Sequence, residues 1–227
     1  KERFAKALKW KGGKWVEMPF IHINQTAPAA SLSSTASDMA KYLHALSSFE
    51  NGGNRILSQQ HWEELPEGLE KGFFTYDFGP IKGFGHDGSA LDFASRFLVD
   101  RKNGLGIFIA VSTAAGHDLV KSLPRLLQQR YYPDDGRVGK TSVSSVDYNG
   151  YYRTTRRPYS GFRKALLSLN ATLRIDVNNG TLTAQGLNGT TVLDARANGQ
   201  FHNRETGDVW VIEKDNTGET ILLTNAY

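Results

Sequence analysis

The chain has 227 residues, 39% of them hydrophobic and 22% charged, with 23 glycines and a formal net charge of +4. That length suits one large domain or two small ones with real cores, and no stretch is apolar for the length of a membrane span. The absence of cysteine excludes disulfides, thiolate nucleophiles and cysteine-bound metals.

Charge is mixed along the chain. Residues 1–133 hold 16 basic and 13 acidic groups and residues 134–227 hold 11 and 10, so no nucleic-acid partner is expected. Only Arg153-Thr154-Thr155-Arg156-Arg157 is locally basic, which reads as a solvated strand edge. Lys1-Glu2-Arg3-Phe4 is not followed by an apolar run, so no secretory signal is legible there.

In chain order, Trp10-Lys11-Gly12-Gly13-Lys14-Trp15 alternates aromatic and polar residues around two glycines, the pattern of a short hairpin acting as a lid or excursion. Thr35 with Asp38 three places on resembles a capping box, and Met39, Tyr42, Leu43 and Leu46 recur at helical spacing. The pattern predicts a helix over 36–48, stopped by Asn51-Gly52-Gly53. Ser58 caps a short helix that Pro66 ends. Strands are then expected over 73–79, 83–86, 90–99 and 105–113, with a hairpin turn at Asp100-Arg101-Lys102-Asn103-Gly104. Leu119, Val120, Leu123, Leu126 and Leu127 predict a helix over 118–131 that Pro124 limits or kinks.

Residues 134–146 are polar and poor in bulky side chains, so they read as a linker between a domain over 1–133 and another over 147–227. Beyond them, short β-like runs alternate with Asn179-Gly180, Asn188-Gly189, Asn198-Gly199, Thr206-Gly207 and Thr217-Gly218. Turn signals at that regular spacing predict an antiparallel meander curling into a small barrel or sandwich, with one helix over 161–169.

The most informative stretch is Gly85-His86-Asp87-Gly88-Ser89. A histidine and two glycines beside strand segments place backbone N–H groups where a carbonyl can approach without a Cβ in the way. An ordinary Gly-rich turn is the plain alternative. Asp87 and Asp92 could form an acid pair, although loop carboxylates are usually solvated. His22, His44, His61, His117 and His202 lack paired ligand spacing, so no metal is expected, and no cofactor either. Trp10, Trp15 and Trp62 suit core or lid packing better than a substrate pocket. Tyr151, Tyr152, Arg156 and Arg157 either edge a site in the first domain or lie at a domain interface.

Ala27-Pro28-Ala29-Ala30-Ser31-Leu32-Ser33-Ser34-Thr35-Ala36-Ser37-Asp38-Met39-Ala40, followed by Gly85-His86-Asp87-Gly88-Ser89 and the strand from Gly104 to Val111, resembles the C-terminal part of the serine β-lactamase and penicillin-binding-protein superfamily. The branch it looks like is that of class C enzymes, carboxylesterases and D-amino-acid peptidases. The residues from Asp147 on resemble the small lipocalin-like β domain that often follows. The resemblance implies an α+β fold: the C-terminal part of a β-lactamase-like α/β domain, an antiparallel sheet with helices, followed by a small all-β barrel-like domain.

It also implies acyl-enzyme hydrolysis of an ester, a D-peptide or a β-lactam, and a periplasmic or extracellular location. His86-Asp87-Gly88 matches the family's third motif in its His-x-Gly form. By that match, Ser89 offers its N–H as an oxyanion donor, Gly88 lets substrate lie close, and His86 orients it. The other two motifs, Ser-x-x-Lys and Tyr-x-Asn, do not occur in the 227 residues. The expectation is therefore a segment of a serine hydrolase that is inactive alone, since an unactivated serine is inert, and that pairs with a complementing N-terminal fragment or forms a homodimer. A second expectation is a non-catalytic module that binds a ligand or partner on a degenerate hydrolase scaffold.

Overall fold

The computed structural model describes residues 4–20, 27, 30–48, 56–65, 72–90, 92–133, 148–153, 172–186, 189–196, 199–214 and 216–224. Internal contacts divide the chain into two units, Lys1–Asp134 and Asp135–Tyr227. The stop signals at Asn51-Gly52-Gly53 and Pro66, the linker over 134–146, the helix expected over 161–169, Arg156 and Arg157 all lie outside the described residues.

The first unit opens with a hairpin of β1 (Leu8–Lys11) and β2 (Lys14–Glu17), Trp10 opposite Trp15. Helix α1 (Ala36–Ser47) follows. The Thr35 Oγ1 accepts from the Asp38 N–H at 3.1 Å and donates to the Asp38 carboxylate at 2.9 Å, satisfying one of the four orphan N–H groups of the first turn. The Lys41 ammonium and the Thr35 hydroxyl hold the Asp38 carboxyl below the usual carboxylate range. A depressed carboxyl stabilises the fold above its ordinary titration range, and that contribution fades as pH falls through the lowered value. Thr35→Ala is expected to cost about 1 kcal/mol, read as a lower unfolding midpoint in urea with an unchanged m-value.

After the short α2 (Gln59–Glu63), capped by Ser58, come β3 (Phe74–Asp77), β4 (Lys82–Ala90), β5 (Phe93–Asp100) and β6 (Leu105–Val111), paired antiparallel in the order β3-β4-β5-β6. The turn into β6 is held by the Asp100 carboxylate, which accepts from the N–H of Lys82 and from the N–H and side-chain amide of Asn103. Leu43 and Leu46 of α1 pack with Phe84 and Val99 on one face of this sheet. On the other, Tyr76, Leu98 and Ile107 pack with Leu127 of α3 (His117–Tyr131). The helix expected over 118–131 is present, and Pro124 does not end it: α3 runs on to Tyr131, with Val120, Pro124 and Gln128 forming one buried stripe at i, i+4 spacing.

The second unit is a seven-stranded antiparallel meander: β7 (Gly150–Arg153), β8 (Thr172–Asn178), β9 (Thr181–Gly186), β10 (Gly189–Ala195), β11 (Gln200–His202), β12 (Val209–Lys214) and β13 (Thr220–Leu223). The turn between β8 and β9 is Asn179-Gly180, with φ of 48° and 73°, the left-handed pair a two-residue hairpin needs. The sheet is strongly curled. Tyr148, just before β7, meets Phe201 of β11 with ring centroids 6.1 Å apart, whereas four strand spacings in a flat sheet would separate them by about 19 Å. The inside is filled by Ile175, Leu182, Leu193, Phe201, Trp210 and Ile212, giving the unit its barrel-like character.

Candidate active site

The stretch from Gly85 to Ser89 is neither a turn nor the end of a strand. It is the interior of β4, which continues to Ala90, and β5 begins at Phe93. The break expected after His86 assumed that Asp87 and Gly88 would leave the sheet. They stay in it because Asp87 faces Arg96 across the β4–β5 pairing and Gly88 faces Ser95.

Pairing with β3 stops at Phe74 opposite Gly85. From His86 to Ala90, among the described residues, β4 is paired on its β5 side alone, so its other edge carries free backbone donors and acceptors. The sheet-edge setting expected from the sequence therefore holds for this half of the strand, by overhang.

Asp87 departs most from its sequence reading. It is no solvated loop carboxylate and forms no acid pair with Asp92. The Arg96 guanidinium donates to both its oxygens, Nε at 2.6 Å and Nη2 at 2.7 Å, and the Tyr76 hydroxyl donates to it at 2.8 Å. Arg96 is 1% exposed, lies 4.6 Å over the Tyr76 ring and reaches the Lys121 carbonyl of α3. Such a two-pronged, charge-assisted pair fixes both partners in geometry. The cluster ties β3, β4, β5 and α3 together beneath the His-Asp-Gly-Ser run.

The three residues assigned by motif sit on this support. The His86 ring stacks on Phe74, centroids 4.5 Å apart and planes at 19°, and its Nδ1 is hydrogen-bonded to the Asp87 carbonyl at 2.5 Å. That bond makes Nδ1 the protonated nitrogen and leaves Nε2 as the acceptor in the neutral ring. A Cβ on Gly88 would stand 2.4 Å from the Ser95 Oγ, so its bareness also makes room for Ser95 within the sheet. Ser89 is exposed, and its hydroxyl lies 3.1 Å from the His117 Nε2 at the start of α3. His117 was weighed in the sequence only as a metal ligand, because nothing in the 27 residues between them marks it as a neighbour of Ser89.

The tryptophans divide. Trp62 donates its N–H to the Leu46 carbonyl and lies under the Arg101 guanidinium, 3.3 Å from the ring centroid. Trp10 and Trp15 are 57% and 51% exposed, so of the core or lid packing expected for the tryptophans the core alternative does not apply to these two, in keeping with a hairpin read as an excursion. Of the residues offered as edging a site from the second unit, Tyr151 is 76% exposed, while Tyr152 packs against that unit's own core and donates its hydroxyl to the Tyr148 carbonyl.

Two comparisons bear on this arrangement. The sequence model of one protein family, described as Beta-lactamase, matches residues 2–131, more than half of the chain and nearly all of the first unit. No curated protein matches the chain.

Proposed function

We propose, since this chain belongs to the Beta-lactamase family, that its first unit forms the sheet wall of a serine-hydrolase active site. The observation that carries the proposal is the overhanging half of β4, where His86, Gly88 and Ser89 lie on an open strand edge braced from below by Asp87 and Arg96. In this reading the Ser89 N–H donates to the oxyanion that develops on the substrate carbonyl, and His86 Nε2 orients the substrate. A serine hydroxyl attacks the carbonyl, the leaving group departs with a proton, and water then releases the acyl group from the serine. The chain carries no Ser-x-x-Lys and no Tyr-x-Asn, so the attacking serine and its base come from outside these residues.

The His-x-Gly form of the motif supports the branch of class C enzymes, carboxylesterases and D-amino-acid peptidases, with an ester, a D-peptide or a β-lactam as substrate and a periplasmic or extracellular setting. We assign residues 1–133 to the catalytic part and 147–227 to a lipocalin-like β domain, for which the curled seven-stranded meander is the support. Its partner in this reading is a complementing N-terminal segment or a second copy.

The test is labelling by a fluorophosphonate probe, with turnover of nitrocefin and of a p-nitrophenyl ester. The chain alone is expected to give neither. With a segment bearing Ser-x-x-Lys and Tyr-x-Asn supplied, labelling and turnover appear, and His86→Ala lowers turnover by about a hundredfold, the scale of one lost transition-state contact. Labelling of Ser89 in the chain alone, abolished by His117→Ala, would place the nucleophile on this unit and overturn the proposal.

A further inference from the structure

None of the residues named for that site belongs to the β1–β2 hairpin. Its turn residues Gly12 and Gly13 have φ of 54° and 79°, and a Cβ built on either would meet no atom within 4 Å. The tip therefore stands clear. Trp10 and Trp15 face each other across it, rings edge-on with centroids 5.3 Å apart, both more than half exposed. One step nearer the tip, Lys11 is directly opposite Lys14, both exposed. Near the base of the hairpin the Phe4 and Phe20 rings meet at 4.9 Å, tilted by 44°, each 43% exposed. Residues 4–20 hold four lysines and one glutamate, and that glutamate, Glu17, is taken up by Lys6 at 2.8 Å.

Two features of this hairpin are unfavourable in bulk water. Like charges directly opposite on paired strands repel, and a cluster of exposed large aromatics forgoes apolar burial. One environment relieves both. The headgroup layer of a bilayer accepts an indole with its apolar body buried and its N–H wet. Lysine stems lie along such a surface while their ammonium groups reach lipid phosphates, and anionic lipid adds a potential that attracts them. An apolar protein groove would take the indoles and leave Lys9, Lys11 and Lys14 unmatched, whereas a soluble polyanion would do the reverse.

We propose that this hairpin docks the protein on an anionic lipid surface. It enters tip first and tilted, with Trp10 and Trp15 at headgroup level and Lys9, Lys11 and Lys14 on the phosphates. The test is flotation of the full chain with vesicles of equal parts phosphatidylglycerol and phosphatidylcholine, together with tryptophan emission and its quenching by brominated lipid. The chain is expected to float with these vesicles with blue-shifted, quenched emission, and to bind pure phosphatidylcholine at least tenfold more weakly.

W10A/W15A and K11Q/K14Q are each expected to lower partition at least tenfold. The lysine pair keeps the test sound if the tryptophan variant unravels the hairpin, because K11Q/K14Q removes a repulsion and leaves the strands intact. Failure to float, or equal flotation of K11Q/K14Q and the parent, overturns the proposal. Retention on immobilised heparin without vesicle binding also overturns it, in favour of a soluble polyanion.

Discussion

Arg96→Leu is expected to destabilise the first unit by about 3 kcal/mol, near the low end for breaking a buried ion pair because Asp87 keeps some contact with water. The guanidinium is 1% exposed and makes two short bonds to Asp87. Without it a charged carboxylate remains in a pocket built for two charges, and the link from β5 to the Lys121 carbonyl of α3 is lost. A fall in Tm on the order of 10 °C follows for a unit of this size. The double variant R96L/D87L is expected to recover most of the loss, since a buried pair replaced by apolar side chains of similar volume is often neutral. Thermal denaturation of the full chain checks both, and an R96L midpoint within a degree or two of the parent would remove the clamp from the argument.

The second large effect is expected at Gly85. A Cβ there would lie 1.8 Å from the Phe97 carbonyl oxygen and 2.8 Å from its carbon. Both are backbone atoms of β5, so no side-chain rotation relieves the clash and the two strands must part beside His86. Gly85→Ala is expected to cost about 3 kcal/mol, the upper end for overpacking, and to speed amide exchange along β4 and β5. Gly88→Ala is the control. The one tight contact of its Cβ is the Ser95 hydroxyl at 2.4 Å, a group that can swing away, so a cost under about 1 kcal/mol is expected. Equal exchange and equal melting in the two variants would show that strand spacing does not limit this position.

The elements that punctuation defines were legible in the sequence. In the second unit the described strands end and begin beside the turn dipeptides read from the sequence, because pairs such as Asn179-Gly180 supply the positive φ that only a few residues adopt cheaply. The helix start at Thr35 was legible for a similar reason: a hydroxyl and a carboxylate three apart make a cap by local geometry alone. What stayed hidden depended on register. Whether Asp87 turns out of the sheet or stays in it is decided by Arg96, nine residues away and opposite it only when β4 and β5 pair as they do. Tyr76 joins the same carboxylate from a third strand, and His117 reaches Ser89 from a helix. The His-Asp-Gly-Ser run could thus be found as a motif, while the residues that brace it could not, since no local pattern encodes a contact made by three strands and a helix.

The order of strands has a kinetic side. In the four-stranded sheet and in the seven-stranded one, spatial order follows chain order, and every pairing is between consecutive strands. Each of these two sheets can therefore grow one hairpin at a time, with elementary steps on the order of microseconds. Strand pairings that are local in the chain favour fast folding. On a ribosome, every strand of the sheet that carries His86 is synthesised before the first strand of the second unit.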